Sequence, residues 1–145
     1  MQQYARLKQI LRTYLIEEEG YENRAYPDTL GHWTVGVGHL LGRSLFEVRF
    51  SDNIVEAILA EDLDVALKAA TKIFPTFPLF SVKRQMAIVS MIFQLGETKF
   101  LRFKDTIKAI NAGQWARAAF YALDSNWAKQ TPARAQRVAA MLKDG

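Results

Sequence analysis

The sequence predicts an α+β chain, mostly α, in which a small mixed lobe is joined by a long helix to a helical lobe. Three observations carry this reading. Apolar residues recur at helical spacing over most of the chain. The one stretch of turn chemistry followed by period-two alternation is confined to residues 24–41. A single proline-interrupted segment, FPTFPLF at 74–80, breaks the helical pattern in between. At 145 residues the chain suits one domain, with lobes placed at about 15–73 and at 1–14 plus 74–145.

The elements follow in order. Tyr4, Leu7, Leu11, Tyr14 and Leu15 define a first helix of about 17 residues, ended by Gly20. Pro27-Asp28-Thr29-Leu30-Gly31 is turn chemistry, and Thr34-Val35-Gly36-Val37-Gly38 alternates, so residues 24–41 read as a small hairpin or short sheet. Ser51 or Asp52 can cap the next helix. Its apolar face, Val55, Leu59, Leu63, Ala66, Leu67 and Ala70, runs to about Ile73. Beyond the prolines, Ser81 caps a helix that Gly96 ends, and helices are expected over 100–112 and 114–124. Thr131-Pro132 opens the last, with threonine as N-cap and proline at the first helical position. Phe74, Phe77 and Phe80 are expected as core and hinge packing, Trp33 as packing on its strand, and Trp115, Phe120 and Tyr121 as helix packing.

Composition narrows the function classes. Half the residues are hydrophobic and 23% are charged, an ordinary globular mixture. The absence of cysteine excludes disulfides and cysteine-based metal sites. With only His32 and His39 as histidines, no metal and no cofactor is expected. No apolar run approaches the roughly 20 residues that span a bilayer, so stable membrane insertion is not expected. The first segment reads as an amphipathic helix rather than an export signal, which points to synthesis in a cytoplasm. The net charge of +4 is unevenly placed: residues 1–98 carry 10 basic and 12 acidic groups, residues 99–145 carry 9 and 3. A basic half favours an anionic partner: nucleic acid, a membrane surface or a bacterial wall.

The stretch from Glu17 to Leu41 holds the candidate chemistry. It sets a carboxylic acid, Glu19, at a helix end, a second, Asp28, in a turn, and a hydroxyl, Thr34, on a strand. Because the hairpin folds back on the helix end, all three can face one cleft. The Thr34/Gly36/Gly38 face has little side-chain bulk, which leaves an open floor for a large ligand such as a sugar chain. Cleavage of a glycosidic bond needs two carboxyl groups, one protonated to donate to the leaving oxygen and one ionised to steer water or stabilise positive charge. A glutamate at a helix end beneath a cleft suits the first role, and an aspartate in a solvated turn beside backbone amides suits the second.

The run EEGYENRAYPDTLGHWTVGVGHLLG resembles the signature of the T-even-phage type of lysozyme: a Glu, eight residues, an Asp, five residues, a Thr, then Gly-x-Gly-His-Leu. MIFQLGET at 91–98 and SNWAKQTPARAQRV at 125–138 resemble that family's helical-lobe motifs in the same order. The resemblance covers most of the chain and implies a two-lobed lysozyme-like fold. It implies Glu19 as general acid, Asp28 as the group that activates the attacking water, and Thr34 as its positioning partner. Arg134 would pair with the catalytic glutamate from the opposite lobe. His39 and Asp62 would form an ion pair anchoring the hairpin to the long helix, with Leu40 completing the motif. Gln94 would line the cleft, with Trp127 packed behind it. The implied activity is that of an endolysin, a monomer that hydrolyses the β-1,4 link between N-acetylmuramic acid and N-acetylglucosamine with inversion. It would reach the peptidoglycan from the host cytoplasm once a separate protein has permeabilised the membrane. The sequence departs from the pattern in a short RSLFEVRFSDN segment and in Asn126, where an arginine is expected.

Two other classes remain in view. A lytic transglycosylase also uses one acid but forms an anhydro sugar without water; the full Glu/Asp/Thr set argues against it. A non-enzymatic cationic protein that binds walls or membranes would use Arg134, Arg137 and Lys143 of the last helix, which lacks a strongly segregated basic face. Nucleic-acid binding is not expected, because no recognised motif is present and the basic residues spread over several helices.

Overall fold

A computed structural model describes residues 2–30, 32–42 and 50–145. Residues 43–49, most of the short segment noted above, lie outside the described residues, as do the side chains of Trp33 and Leu40. The chain divides into two compact units, residues 1–65 and 66–145. The charge asymmetry is steeper by unit than along the sequence halves. The first unit has 6 basic and 11 acidic residues, net −5, and the second 13 and 4, net +9.

In the first unit, α1 (Gln2–Glu19) buries Leu7, Leu11 and Leu15 along one stripe at four-residue spacing. Gly20 ends it, its N–H donating to the Ile16 carbonyl at 2.9 Å. Three strands follow, β1 (Glu22–Pro27), β2 (Trp33–Gly36) and β3 (His39–Gly42), in an antiparallel sheet of order β1-β2-β3. The short sheet expected from the alternation is therefore a three-stranded meander. Tyr26 lies opposite Thr34, and Thr34 opposite Leu40. After the sheet, the Phe50 N–H bonds back to the Asn23 carbonyl on β1.

The long helix α2 (Asp52–Ile73) starts in the first unit and ends in the second. Ser51 flanks its start: the carbonyl accepts from Ile54 and Val55 N–H groups, and the hydroxyl lies 3.4 Å from the Ile54 nitrogen. Within the first unit, Arg12 forks onto Glu56 and Lys8 pairs with Asp64. The Arg12 guanidinium holds the Glu56 carboxyl below the usual carboxylate range.

In the second unit the proline segment makes a short 3-10 turn, Phe77–Leu79. Phe74 and Phe77 are fully buried, and Phe80 meets both edge to face. Helix α3 (Val82–Leu95) has a nearly all-apolar middle, Ala87–Ile92, buried on every side, so it forms the centre of this unit. The Ser81 hydroxyl caps it by accepting from the Arg84 N–H, and the buried Gln85 amide donates to the Phe77 carbonyl at 2.9 Å. Around it lie α4 (Glu97–Phe100), α5 (Lys104–Asn111), α6 (Trp115–Leu123), α7 (Asn126–Gln130) and α8 (Pro132–Asp144); α8 packs on both α3 and α6.

Four expectations need correction here. The helix read over 100–112 is two helices with a turn at 101–103, which lets Phe103 stack on Phe100 and meet the edge of Trp127. Residues 126–130 form a short helix that the sequence reading left out, capped by Ser125. Thr131 occupies the position before α8 but does not cap it, because its hydroxyl donates back to the Trp127 carbonyl at 3.0 Å. Phe120 is 63% exposed and forms a surface pair with the half-exposed Tyr121 rather than packing inward. Trp115 does pack, against Phe80 on one side and under the Arg84 guanidinium on the other.

Candidate active site

Glu19 is the last residue of α1, and its half-buried side chain lies against the β2–β3 turn. The contact is close: a Cβ added to Gly38 would stand 3.0 Å from Glu19 Oε2. Gly38 has φ +70°, so the turn tolerates this approach only because the residue has no side chain. Gly36, at φ +66°, is equally constrained from the other direction, since a Cβ there would lie 2.9 Å from Val55 Cγ1 on α2. The open floor expected along Thr34, Gly36 and Gly38 is therefore filled at both glycines, by helix α2 and by the glutamate itself. Their missing side chains admit protein rather than a sugar.

Asp28 follows β1 directly and closes a tight turn onto the start of β2. Its Oδ1 accepts the backbone N–H groups of Leu30 and His32, each at 2.8 Å, and its own N–H donates to the His32 carbonyl at 2.7 Å. Proline before it and a glycine within the loop favour this aspartate-centred turn. The His32 and Leu30 N–H bonds hold the Asp28 carboxyl below the usual carboxylate range, with the nearby His32 ring adding to the effect. The ring nitrogen Nδ1 lies 3.5 Å from Oδ2.

Thr34 is 5% exposed, and its hydroxyl donates to the Tyr26 carbonyl at 3.3 Å, leaving its oxygen lone pairs as acceptors. Register sets it one strand-pair in from the Asp28 turn. His39 on β3 lies 2.6 Å through Nδ1 from Asp62 Oδ2 on α2, so the sheet and the helix are joined at a part-buried polar contact. Leu40 follows on the same strand, opposite Thr34.

The remaining candidates sit in the second unit. The Gln94 Oε1 accepts from the indole N–H of the buried Trp127 at 2.8 Å. Arg134 is buried at the start of α8, and its guanidinium donates to the carbonyl and hydroxyl of Ser90 at 3.3 and 3.1 Å. A groove of about 650 Å³ in this unit is lined by aromatic residues including Phe103 and Trp127 and by charges of both signs, Lys99, Arg102, Lys104, Asp105 and Asp124. Among the described residues no group of three or more His, Asp or Glu is arranged to hold a metal, and no helix is long and apolar enough to cross a membrane.

The sequence reading missed His32. Its signal was weak but present: a histidine four residues after the aspartate of a turn can return to that aspartate through both backbone and ring.

Comparison with known proteins decides the family. The pattern of the phage lysozyme family matches residues 16–143, nearly the whole chain. The chain belongs to the phage lysozyme family. It is a lysozyme-type glycoside hydrolase. A probable T4-type lysozyme of Dictyostelium discoideum is 31% identical over 161 aligned positions, covering 93% of this chain and 94% of that one. The pre-baseplate central spike protein Gp5 of Enterobacteria phage T4 is 30% identical over 90% of this chain, which spans 27% of the spike protein. A protein of Pseudomonas phage phiKMV named peptidoglycan hydrolase gp36 is 31% identical over 86% of this chain and 14% of its own length. This chain thus spans nearly the whole of the first of these relatives and a small part of the other two.

Proposed function

We propose that this chain degrades bacterial peptidoglycan by hydrolysing the β-1,4 bond between N-acetylmuramic acid and N-acetylglucosamine, with inversion at the anomeric carbon. The observation that carries the reading is the state of Asp28. Two backbone N–H groups fix one carboxylate oxygen and keep the group ionised, while the other oxygen takes neither of them. A fixed carboxylate of this kind is what a general base requires. The peptidoglycan hydrolase among the relatives supports the substrate class.

In this reading Glu19 gives its proton to the glycosidic oxygen as the bond to the anomeric carbon breaks. A water held by Asp28, and positioned by the acceptor side of the Thr34 hydroxyl, attacks that carbon from the opposite face and gives its proton to Asp28. The products are a free hydroxyl on one sugar and an inverted hemiacetal on the other. Glu19 is left ionised and Asp28 protonated, and exchange with solvent restores both. His39, through Asp62, keeps β3 and the turn at Gly38 in register beneath Glu19. The enzyme acts as a monomer, made in the host cytoplasm and reaching the wall after the membrane is permeabilised.

Digestion of purified peptidoglycan tests this. Mass spectrometry of the soluble fragments should show reducing ends, each heavier by one water than the anhydro product, and NMR of fresh product should show the α-anomer first. Anhydro ends would replace the reading with a transglycosylase, the β-anomer would refute inversion, and no soluble fragment would leave a binding protein.

A further inference from the structure

Asp28 is enclosed by one residue more than by any other. His32 gives its backbone N–H to Oδ1, accepts the Asp28 N–H through its carbonyl, and brings its ring to 3.5 Å from Oδ2. Two of these contacts are backbone and would survive substitution. The third belongs to the imidazole and depends on its charge.

The two carboxylate oxygens therefore differ. Oδ1 is occupied by two N–H groups, and Oδ2 is the oxygen that can take a proton from water. At 3.5 Å the ring is at the outer limit of a hydrogen bond and within ion-pair reach of that oxygen. We propose that His32 is a positioning residue whose protonation decides whether Oδ2 of Asp28 is available to the attacking water; the inference rests on Asp28 being the base. A neutral ring reaches Oδ2 only weakly from this distance. An imidazolium draws it into a charge-assisted contact, which at about 2.8 Å needs only a small side-chain movement, and so lowers its basicity.

The balance of effects gives the sign. An imidazolium also favours the ionised form of Asp28, but the turn's N–H groups already keep that carboxyl ionised where histidine changes charge. Further stabilisation of the anion yields no more base, whereas loss of basicity slows proton removal from water. Both side chains are about one-third exposed, at 35% and 32%, so solvent screens the pair and the ring competes with water rather than locking the oxygen. Among the described residues, Asp28 is the charged group within ion-pair reach of His32. The adjoining strand β1 carries Glu22, Arg24 and Tyr26 as its charged or titratable residues, and the other histidine, His39, is engaged with Asp62. Activity should then fall on the acid side while Asp28 itself is still ionised.

The test is the pH profile of kcat/KM on purified peptidoglycan for the wild type, His32→Asn and Asp28→Asn. In His32→Asn the ratio of kcat/KM at about pH 5 to that at about pH 7.5 should rise at least about threefold, because the imidazole facing Oδ2 is gone. Superimposable normalised profiles would overturn the inference. Asp28→Asn with turnover near the wild type would instead remove the reading beneath it, whatever His32→Asn does. Should His32→Asn fail to fold, carbon NMR of the unsubstituted protein decides: the Asp28 carboxyl resonance should show a step coincident with titration of the His32 ring, and the absence of that step would overturn the inference.

Discussion

At Gly38, backbone and chemistry meet in one residue. An alanine there would have to adopt φ +70° and place its Cβ 3.0 Å from Glu19 Oε2. We expect Gly38→Ala to cost about 1–2 kcal/mol of stability from the left-handed backbone alone. It should also lower activity by displacing the carboxylate, which thermal unfolding and turnover measured side by side would separate. Asp28 makes a second prediction. Its titration in the folded chain lies below the ordinary carboxylate range, so its contribution to stability is present above that range and is lost as pH falls through the lowered value. Urea unfolding at a series of acid pH values should therefore show a shallower acid loss for Asp28→Asn than for the wild type. At this scale the sequence was informative about Glu19, Asp28 and Thr34 as a spaced set, but not about what surrounds them. Strand alternation made Gly36 and Gly38 an open floor, and it could not register that Val55 and Glu19 fill it.

Helix boundaries were legible where a local side chain sets them and illegible where a tertiary contact does. Ser81 and Gly96 bracket α3 as their residue types predict. The break at 101–103 serves the packing of Phe103 on Phe100 and Trp127, which apolar spacing alone reads as one continuous helix. The join before α7 rests on Ser125, whose hydroxyl donates to the Ala122 carbonyl at 2.7 Å and accepts from the Ala128 N–H at 3.1 Å. Ser81 makes one longer bond of 3.3 Å in an exposed position. Chemical denaturation should accordingly find Ser125→Ala more costly, at about 1.5 kcal/mol, than Ser81→Ala, at about 0.5–1 kcal/mol. Equal losses would mean that the Ser125 hydroxyl does not join the two helices.

For the molecule as a whole, charge is the property that composition understates. A net +4 conceals a unit of −5 and a unit of +9. The basic unit suits an anionic wall, and its attraction is screened beyond about 8 Å at physiological salt. Raising the salt concentration should therefore raise KM for insoluble peptidoglycan far more than it lowers kcat; an unchanged KM would show that the charge is only a solvated surface. The fold class was legible because helical periodicity and one short alternating stretch are both local signals. The boundary at Val65 itself has no local signal, because helix α2 carries an unbroken apolar stripe from Val55 to Ala70 across it.

The most direct measurement digests purified peptidoglycan with the wild type and with Glu19→Gln, followed by mass spectrometry of the soluble fragments and an unfolding curve for each protein. Reducing muropeptides are expected from the wild type, with a loss of at least about a hundredfold in rate for a folded Glu19→Gln. Turnover by a folded Glu19→Gln close to the wild-type rate would contradict the role of Glu19 as general acid.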